Sequence, residues 1–104
     1  MTPTARLEPR VFAVKVVPDD HYLRERHSDC DIYEITVEHR GGALWAVKRG
    51  GQTFDGQDWE FEPIPSSRTL PYLRRHRHDF ERAGALALRA ADAWLAELER
   101  RFPA

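Results

Sequence analysis

The hydrophobic pattern of this chain changes its period once, near Thr69. Before Thr69, the segments 32–39 and 57–62 have apolar residues at every second position, which is typical of strands with one buried and one exposed face. After Thr69 they recur every three or four positions, as on one face of a helix. A chain of 104 residues has room for one hydrophobic core, so we expect the β region and the helical region to pack together.

Four strands are predicted in the β region. The first is the β-branched run 11–17, and Pro18 ends it because proline cannot donate a hydrogen bond to a sheet. The second strand, over 32–39, alternates cleanly between apolar and polar residues, and a third is predicted over 43–49. A short fourth strand is predicted over 57–62. The alternation is typical of a half-exposed antiparallel sheet.

A three-residue turn, Arg40-Gly41-Gly42, is predicted between the second and third strands. This turn pairs Val37 with Trp45 and collects the apolar residues of both strands on one face. A two-residue turn of the glycines alone would place Trp45 on the polar face instead.

Two helices are predicted after the strands. Thr69 can cap a short helix over 70–77, with Leu70 and Leu73, and as a further option Tyr72, facing inward, and Asp79 can cap a long helix over 80–102. The predicted fold is therefore a two-layer α+β domain, in which a short and a long C-terminal helix pack on one face of a small antiparallel sheet of about four strands. The sheet residues expected under the long helix are Ile35, Val37, Trp45, Val47, Trp59 and Phe61.

The boundaries of the domain follow from the same pattern. Residues 1–10 have no hydrophobic periodicity and are expected to form a flexible N-terminal segment, and residues 11–104 a single α+β domain. The first strand is apolar on both faces, so it is either central in the sheet or buried against a second copy of the chain. A homodimer is one expectation.

Composition excludes several classes of function. Sixteen Lys and Arg against 17 Asp and Glu give a net charge of -1, which removes the bulk electrostatic case for a polyanion binder. No apolar stretch approaches the roughly 20 residues of a membrane span, so neither a membrane partner nor secretion is expected. The single cysteine, Cys30, cannot form an internal disulfide, and a cytoplasmic location is expected.

A basic run is the first candidate for a binding site. Its arginines could clamp phosphates, and two nearby aromatic rings could stack on bases. The alternative is a solvated face in which the acids at 55, 58, 60 and 62 pair with these arginines. The candidate basic surface comprises Arg68, Arg74, Arg75, Arg77 and Arg82, and the candidate aromatic surface Trp59 and Tyr72.

Other residues suggest chemistry less specifically. His21, His27, Asp29 and Cys30 are of metal-ligating types, but their spacing matches no known ligand signature. Carboxylate pairs at period two on a strand are typical of a solvated face. No phosphate-binding glycine loop, nucleophile elbow or dinucleotide fingerprint occurs. We expect no metal, no cofactor and no enzymatic activity.

The middle of the chain carries a distinctive order of residues. Trp45-x-Val47 and a glycine-rich turn precede Asp58-Trp59-x-x-Glu62-Pro63-x-Pro65-Ser66-Ser67-Arg68, and an Arg/His-Phe element leads into an Ala-rich helix. This order resembles small proteins of actinobacteria and their phages, and Glu62-Pro63-Ile64-Pro65-Ser66-Ser67-Arg68 is its most specific part. The resemblance covers about half of the chain. It implies a source and a fold, and it carries no catalytic residue across.

Three function classes remain. The leading hypothesis is a non-enzymatic binding or adaptor protein with a protein partner, such as a phage or phage-derived factor acting on a host protein. The alternative is a nucleic-acid-binding protein that uses the basic segment 68–82. A metal-dependent hydrolase built on His21, His27 and Asp29 is the third.

Overall fold

The computed structural model describes residues 7–15 and 34–101. The end of the predicted first strand, the 19–31 stretch with its candidate metal ligands, and most of the predicted flexible segment lie outside the described residues. No helix in the described part of the chain combines the length and the apolar character that crossing a bilayer requires. The elements are β1 (Val11–Lys15), β2 (Glu34–Gly41), β3 (Leu44–Arg49), β4 (Gln52–Phe54), β5 (Trp59–Phe61), a 3-10 turn (Pro65–Ser67), α1 (Leu70–His76) and α2 (Phe80–Arg101).

The predicted α+β class is confirmed. The strands form one antiparallel sheet in chain order, and it has five strands where about four were expected. The additional strand, β4, has only three residues and lies between two glycine turns, which is too short for an alternating pattern to be recognised. Its last residue, Phe54, is buried in the core.

The register predicted for the β2–β3 hairpin is wrong by two residues. Trp45 lies opposite His39 rather than Val37, and Val37 pairs with Val47. A bulge between His39 and Gly41 takes up one residue and tightens the turn, in which both glycines have positive φ. A shift of two keeps every side chain on its face, so the predicted apolar face survives the error.

The hydrophobic core lies between this face and α2. Five residues of α2, predominantly alanine, pack on the buried sheet residues, and their small side chains allow the helix to lie close to the strands. Trp45 and Trp59 are partly buried against the same cluster, as expected. Phe61 is not part of it, because its side chain is 74% exposed at the edge strand. The buried core comprises Ile35, Val37, Val47, Phe54, Ala83, Leu86, Ala87, Ala90 and Ala91.

The short helix α1 was expected on the same face of the sheet as the long helix, but it lies on the opposite face. Thr53 and Phe54 are neighbours in β4, so their side chains point to opposite faces of the sheet. Phe54 packs under α2, whereas Thr53 bonds to Tyr72 and His76 of α1. The two helices therefore contact opposite faces. Of the residues expected to face inward, Leu70 is exposed, Leu73 is partly buried and Tyr72 is buried. His76, which was not expected to face inward, is buried beside Tyr72.

The connector between the helices passes round the edge of β3. His78 exchanges two backbone hydrogen bonds with Trp45, of 2.7 and 2.9 Å, beside the part of β3 that β4 does not cover. Both predicted caps are confirmed. Thr69 Oγ1 accepts from the Tyr72 amide, and Asp79 Oδ1 accepts from the Arg82 amide at 2.8 Å.

Candidate functional site

Two of the five candidate arginines are held inside the protein by one carboxylate. Glu62 follows β5, and its side chain is only 8% exposed. Arg40 donates to both of its oxygens, at 2.9 and 3.2 Å, and Arg77 donates at 3.0 Å. Arg68 lies 3.8 Å away and donates its Nε–H to the Pro63 carbonyl. We call Glu62, Arg40, Arg68 and Arg77 the Glu62 clamp.

The charges of the Glu62 clamp stabilise one another. Burial disfavours the Glu62 carboxylate, but the hydrogen bonds from Arg40 and the nearby guanidinium charges outweigh it and hold the pKa of Glu62 below its usual value. The same bond raises the pKa of Arg40. Arg68 and Arg77 are therefore paired with an acid within the fold, as the salt-bridged alternative predicts, although the single carboxylate balances only one of the three guanidinium charges.

A basic cleft forms where the β4–β5 turn meets the connector between the helices. It is an open depression of about 440 Å³. Within the described residues, the side chains of Arg74 and Arg82 have no hydrogen bond or ion pair, whereas Arg75 donates to Glu60 at 3.1 Å. The lining residues are Asp55, Gln57, Arg74, Arg75, Arg77, His78, Asp79 and Arg82.

The two aspartates of the basic cleft are occupied by backbone groups. Asp55 Oδ1 accepts the amide protons of Gln57 and Asp58, both at 2.7 Å, and these bonds lower the pKa of Asp55. Asp79 caps α2. Burial lowers the pKa of His78, whose Nε2 lies 3.1 Å from the Phe54 carbonyl, so the positive charge of the cleft comes from its arginines.

The candidate aromatic surface is not assembled. Trp59 lies on the α2 face of the sheet, 4.9 Å from the Phe54 ring, with the Arg49 guanidinium 4.3 Å from its centroid. Tyr72 lies on the opposite face, buried, and stacks on His76 at 4.3 Å. The two rings therefore offer no shared platform for bases.

A buried polar network lies beneath α1. Thr53 Oγ1 is 2.5 Å from the Tyr72 hydroxyl and 3.0 Å from His76 Nδ1, and His76 Nε2 is 3.2 Å from Glu60 Oε2. We call these four residues the Thr53 network. The order hydroxyl, imidazole, carboxylate is that of a hydrolytic triad, but Thr53 is fully buried and no substrate can reach its oxygen.

Sequence analysis missed the Thr53 network because His76 was assigned to the solvated basic run. The spacing of Tyr72 and His76 would have indicated it, since residues four apart lie on the same side of a helix. The residues of metal-ligating types at His21, His27 and Asp29 lie outside the described residues. In the described part of the chain, Asp55, Glu60 and His76 place possible ligand atoms within 4.8 Å of one another.

Comparison with family models, with curated proteins and with solved structures finds no match for this chain.

Proposed function

We propose that this is a non-enzymatic binding protein whose basic cleft takes an acidic segment of a protein partner. The observation that carries the proposal is the convergence of Arg74, Arg75, Arg77 and Arg82 on one open depression. Arg74 and Arg82 have no ion-pair partner within the described residues, so their N–H groups are available to carboxylates of another molecule.

The geometry supports a protein partner over a nucleic acid. A polyanion binder needs a row of uncommitted cations along the phosphate backbone. Here Arg68 and Arg77 are engaged by Glu62, and Arg75 is paired with Glu60, so these three arginines are not uncommitted. Two aspartates also lie in the cleft, and the net charge of the chain is -1.

Nucleic-acid binding through the 68–82 segment is the second candidate. It is favoured by the same convergence of arginines, because guanidinium groups such as those of Arg74 and Arg82 bind phosphates as well as carboxylates. Its weakness is the missing stacking surface, with Trp59 and Tyr72 on opposite faces.

The proposal includes three further expectations, about the location, the self-association and the origin of the protein. A cytoplasmic location is supported by the lone cysteine. Self-association is supported by the exposed apolar side chains of Val11 and Phe12 in β1, and a light-scattering mass would test it. An origin among actinobacteria or their phages, with a host protein as the partner, rests on the resemblance of the 62–68 stretch.

The test compares two labelled probes of equal charge, an oligoglutamate peptide and a DNA duplex, by fluorescence anisotropy. We expect the peptide to bind, and we expect the double variant Arg74→Gln, Arg82→Gln to abolish binding. Arg100→Gln is the matched control, since it removes an exposed arginine of α2 that is paired with Glu97.

Two outcomes would overturn the proposal. If the duplex binds more tightly and its affinity falls more steeply with salt, the nucleic-acid alternative replaces it. If the loss of binding free energy in Arg100→Gln, which removes one charge, reaches half of the loss in the double variant, which removes two, the attraction is a general charge effect and the cleft is not the site.

A further inference from the structure

Three possible metal ligands meet beside the basic cleft. Asp55 comes from the β4–β5 turn, Glu60 from β5 and His76 from the last turn of α1. One carboxylate oxygen of each acid and one ring nitrogen of His76 lie within 4.8 Å of one another. A turn, a strand and a helix thus bring together residues that are separated along the chain.

A buried nitrogen of the His76 ring lies beside these acids. The side chain has no exposed surface, and Nε2 has no hydrogen-bond partner within the described residues. Glu60 Oε2 is only 3.2 Å from Nε2, which is close enough for a hydrogen bond. The two atoms nevertheless form none, because the angle between them is unfavourable. Buried nitrogens are rarely left without a partner, and a shared cation would satisfy both atoms.

The residues behind the three ligands already orient them. His76 Nδ1 lies 3.0 Å from Thr53 Oγ1, and donation of the Nδ1 proton to Thr53 leaves the Nε2 lone pair free to bind a metal. Ligating histidines are regularly held in this way by a second group. Asp55 Oδ1 is held by two backbone amides, and its other oxygen accepts no hydrogen bond from the residues that the structure describes.

We propose that Asp55, Glu60 and His76 form a binding site for a divalent first-row transition metal ion, with Zn²⁺ as the representative. One imidazole and two carboxylates are ligands that such ions accept, and the two negative charges balance the ion. The proposal goes beyond the binding function above and does not depend on it.

Arg75 competes with the ion. Its guanidinium lies 3.1 Å from Glu60, and its side chain is half exposed, so it can turn into solvent when the metal binds. Arg75→Gln removes this competitor and is expected to tighten Zn²⁺ binding several-fold. A purely structural role for the cluster predicts no such gain.

Zn²⁺ alone is titrated into the full chain by calorimetry, and the His76 ring is followed by ¹⁵N NMR. We expect Asp55→Asn and Glu60→Gln each to weaken binding by about tenfold or more. Asparagine keeps the oxygen that accepts the two backbone amides, so the turn is retained. His76→Gln also removes the Nδ1 contact, so the two acid variants carry the test if that variant fails to fold.

Two controls locate the site. Asp58→Asn removes an exposed acid of the same turn and should leave the affinity unchanged. The double variant His21→Gln, His27→Gln removes the two histidines that precede Asp29 in the sequence, and it should also leave the Zn²⁺ affinity unchanged. Absence of Zn²⁺ binding, binding that only the His21/His27 variant abolishes, or a Zn²⁺ titration that leaves the His76 ring signals unmoved would each overturn the proposal.

Discussion

The guanidinium of Arg77 and the carboxylate of Glu62 lie 3.0 Å apart, although their side chains are only 5% and 8% exposed. Arg77 directly follows α1, and Glu62 directly follows β5. This one ion pair therefore ties the end of the short helix to the end of the sheet, and Arg40 ties β2 to the same carboxylate. Because Arg77 also lines the basic cleft, the Glu62 clamp holds one wall of the cleft in place.

Glu62→Gln is expected to destabilise the protein by about 3–5 kcal/mol, because it leaves the buried guanidinium of Arg77 without its counter-charge and Arg40 with only Glu38, at 3.4 Å. Urea unfolding followed by tryptophan fluorescence measures the loss. Asp92→Asn removes the same charge from an exposed position of α2, and its effect should stay within about 0.5 kcal/mol. Equal losses in the two variants would contradict a special role for Glu62.

The contribution of Glu62 should depend on pH in one direction. Its pKa is lower in the folded protein than the ordinary value of 4.5. The stabilisation is then fully present above the ordinary value and is lost as the pH falls through the lower, folded value. In buffer with EDTA, the stability difference between wild type and Glu62→Gln should be constant from pH 7 to about 5.5 and should shrink in acid. A difference that grows in acid would refute this.

Thr53→Val is expected to cost about 1–3 kcal/mol, since the Tyr72 hydroxyl and His76 Nδ1 would then both be buried without a partner. Thermal unfolding provides the measurement. Thr36→Val is the matched control, because Thr36 donates to the half-buried Glu38 and its loss leaves that carboxylate in contact with solvent. The Thr53 network has no structural importance if the control variant is the less stable of the two.

Phe54→Ala is expected to cost about 3–5 kcal/mol, as deletion of a core aromatic ring does. Phe61→Ala should change stability by less than about 1 kcal/mol, because three quarters of its side chain is already in contact with water. Chemical denaturation of both variants tests the assignment. The reverse order would restore the expectation that Phe61 lies under α2.

Sequence reasoning predicted the parts of the fold that repeat. The apolar face of α2 recurs over 22 residues, and Asp79 marks its beginning, so helix, face and cap were all predictable. The shared face of β2 and β3 was also predictable, because it depends only on odd and even positions. Their register was not, because the bulge near Gly41 leaves no trace in the hydrophobic pattern.

The candidate site was less accessible to sequence reasoning. The pattern identified the arginines of the 68–82 segment. It could not show that Arg40, which lies 22 residues before Glu62 in the chain, shares the Glu62 carboxylate with Arg77. Ion pairs between distant segments depend on tertiary contacts and not on local periodicity. The face of the sheet that α1 covers was not predictable either. The buried side of α1 consists of a tyrosine and a histidine rather than aliphatic residues, so the hydrophobic pattern does not mark it clearly.

The passage of His78 along β3 has a consequence for solubility. Beyond the reach of β4, the backbone donors and acceptors of β3 at Trp45 are satisfied by this one residue. An insertion or a proteolytic nick at the connector would release it and leave a bare strand margin, which is the usual template for intermolecular β-pairing. The connector between the two helices thus protects the protein against aggregation, because it covers the edge of β3.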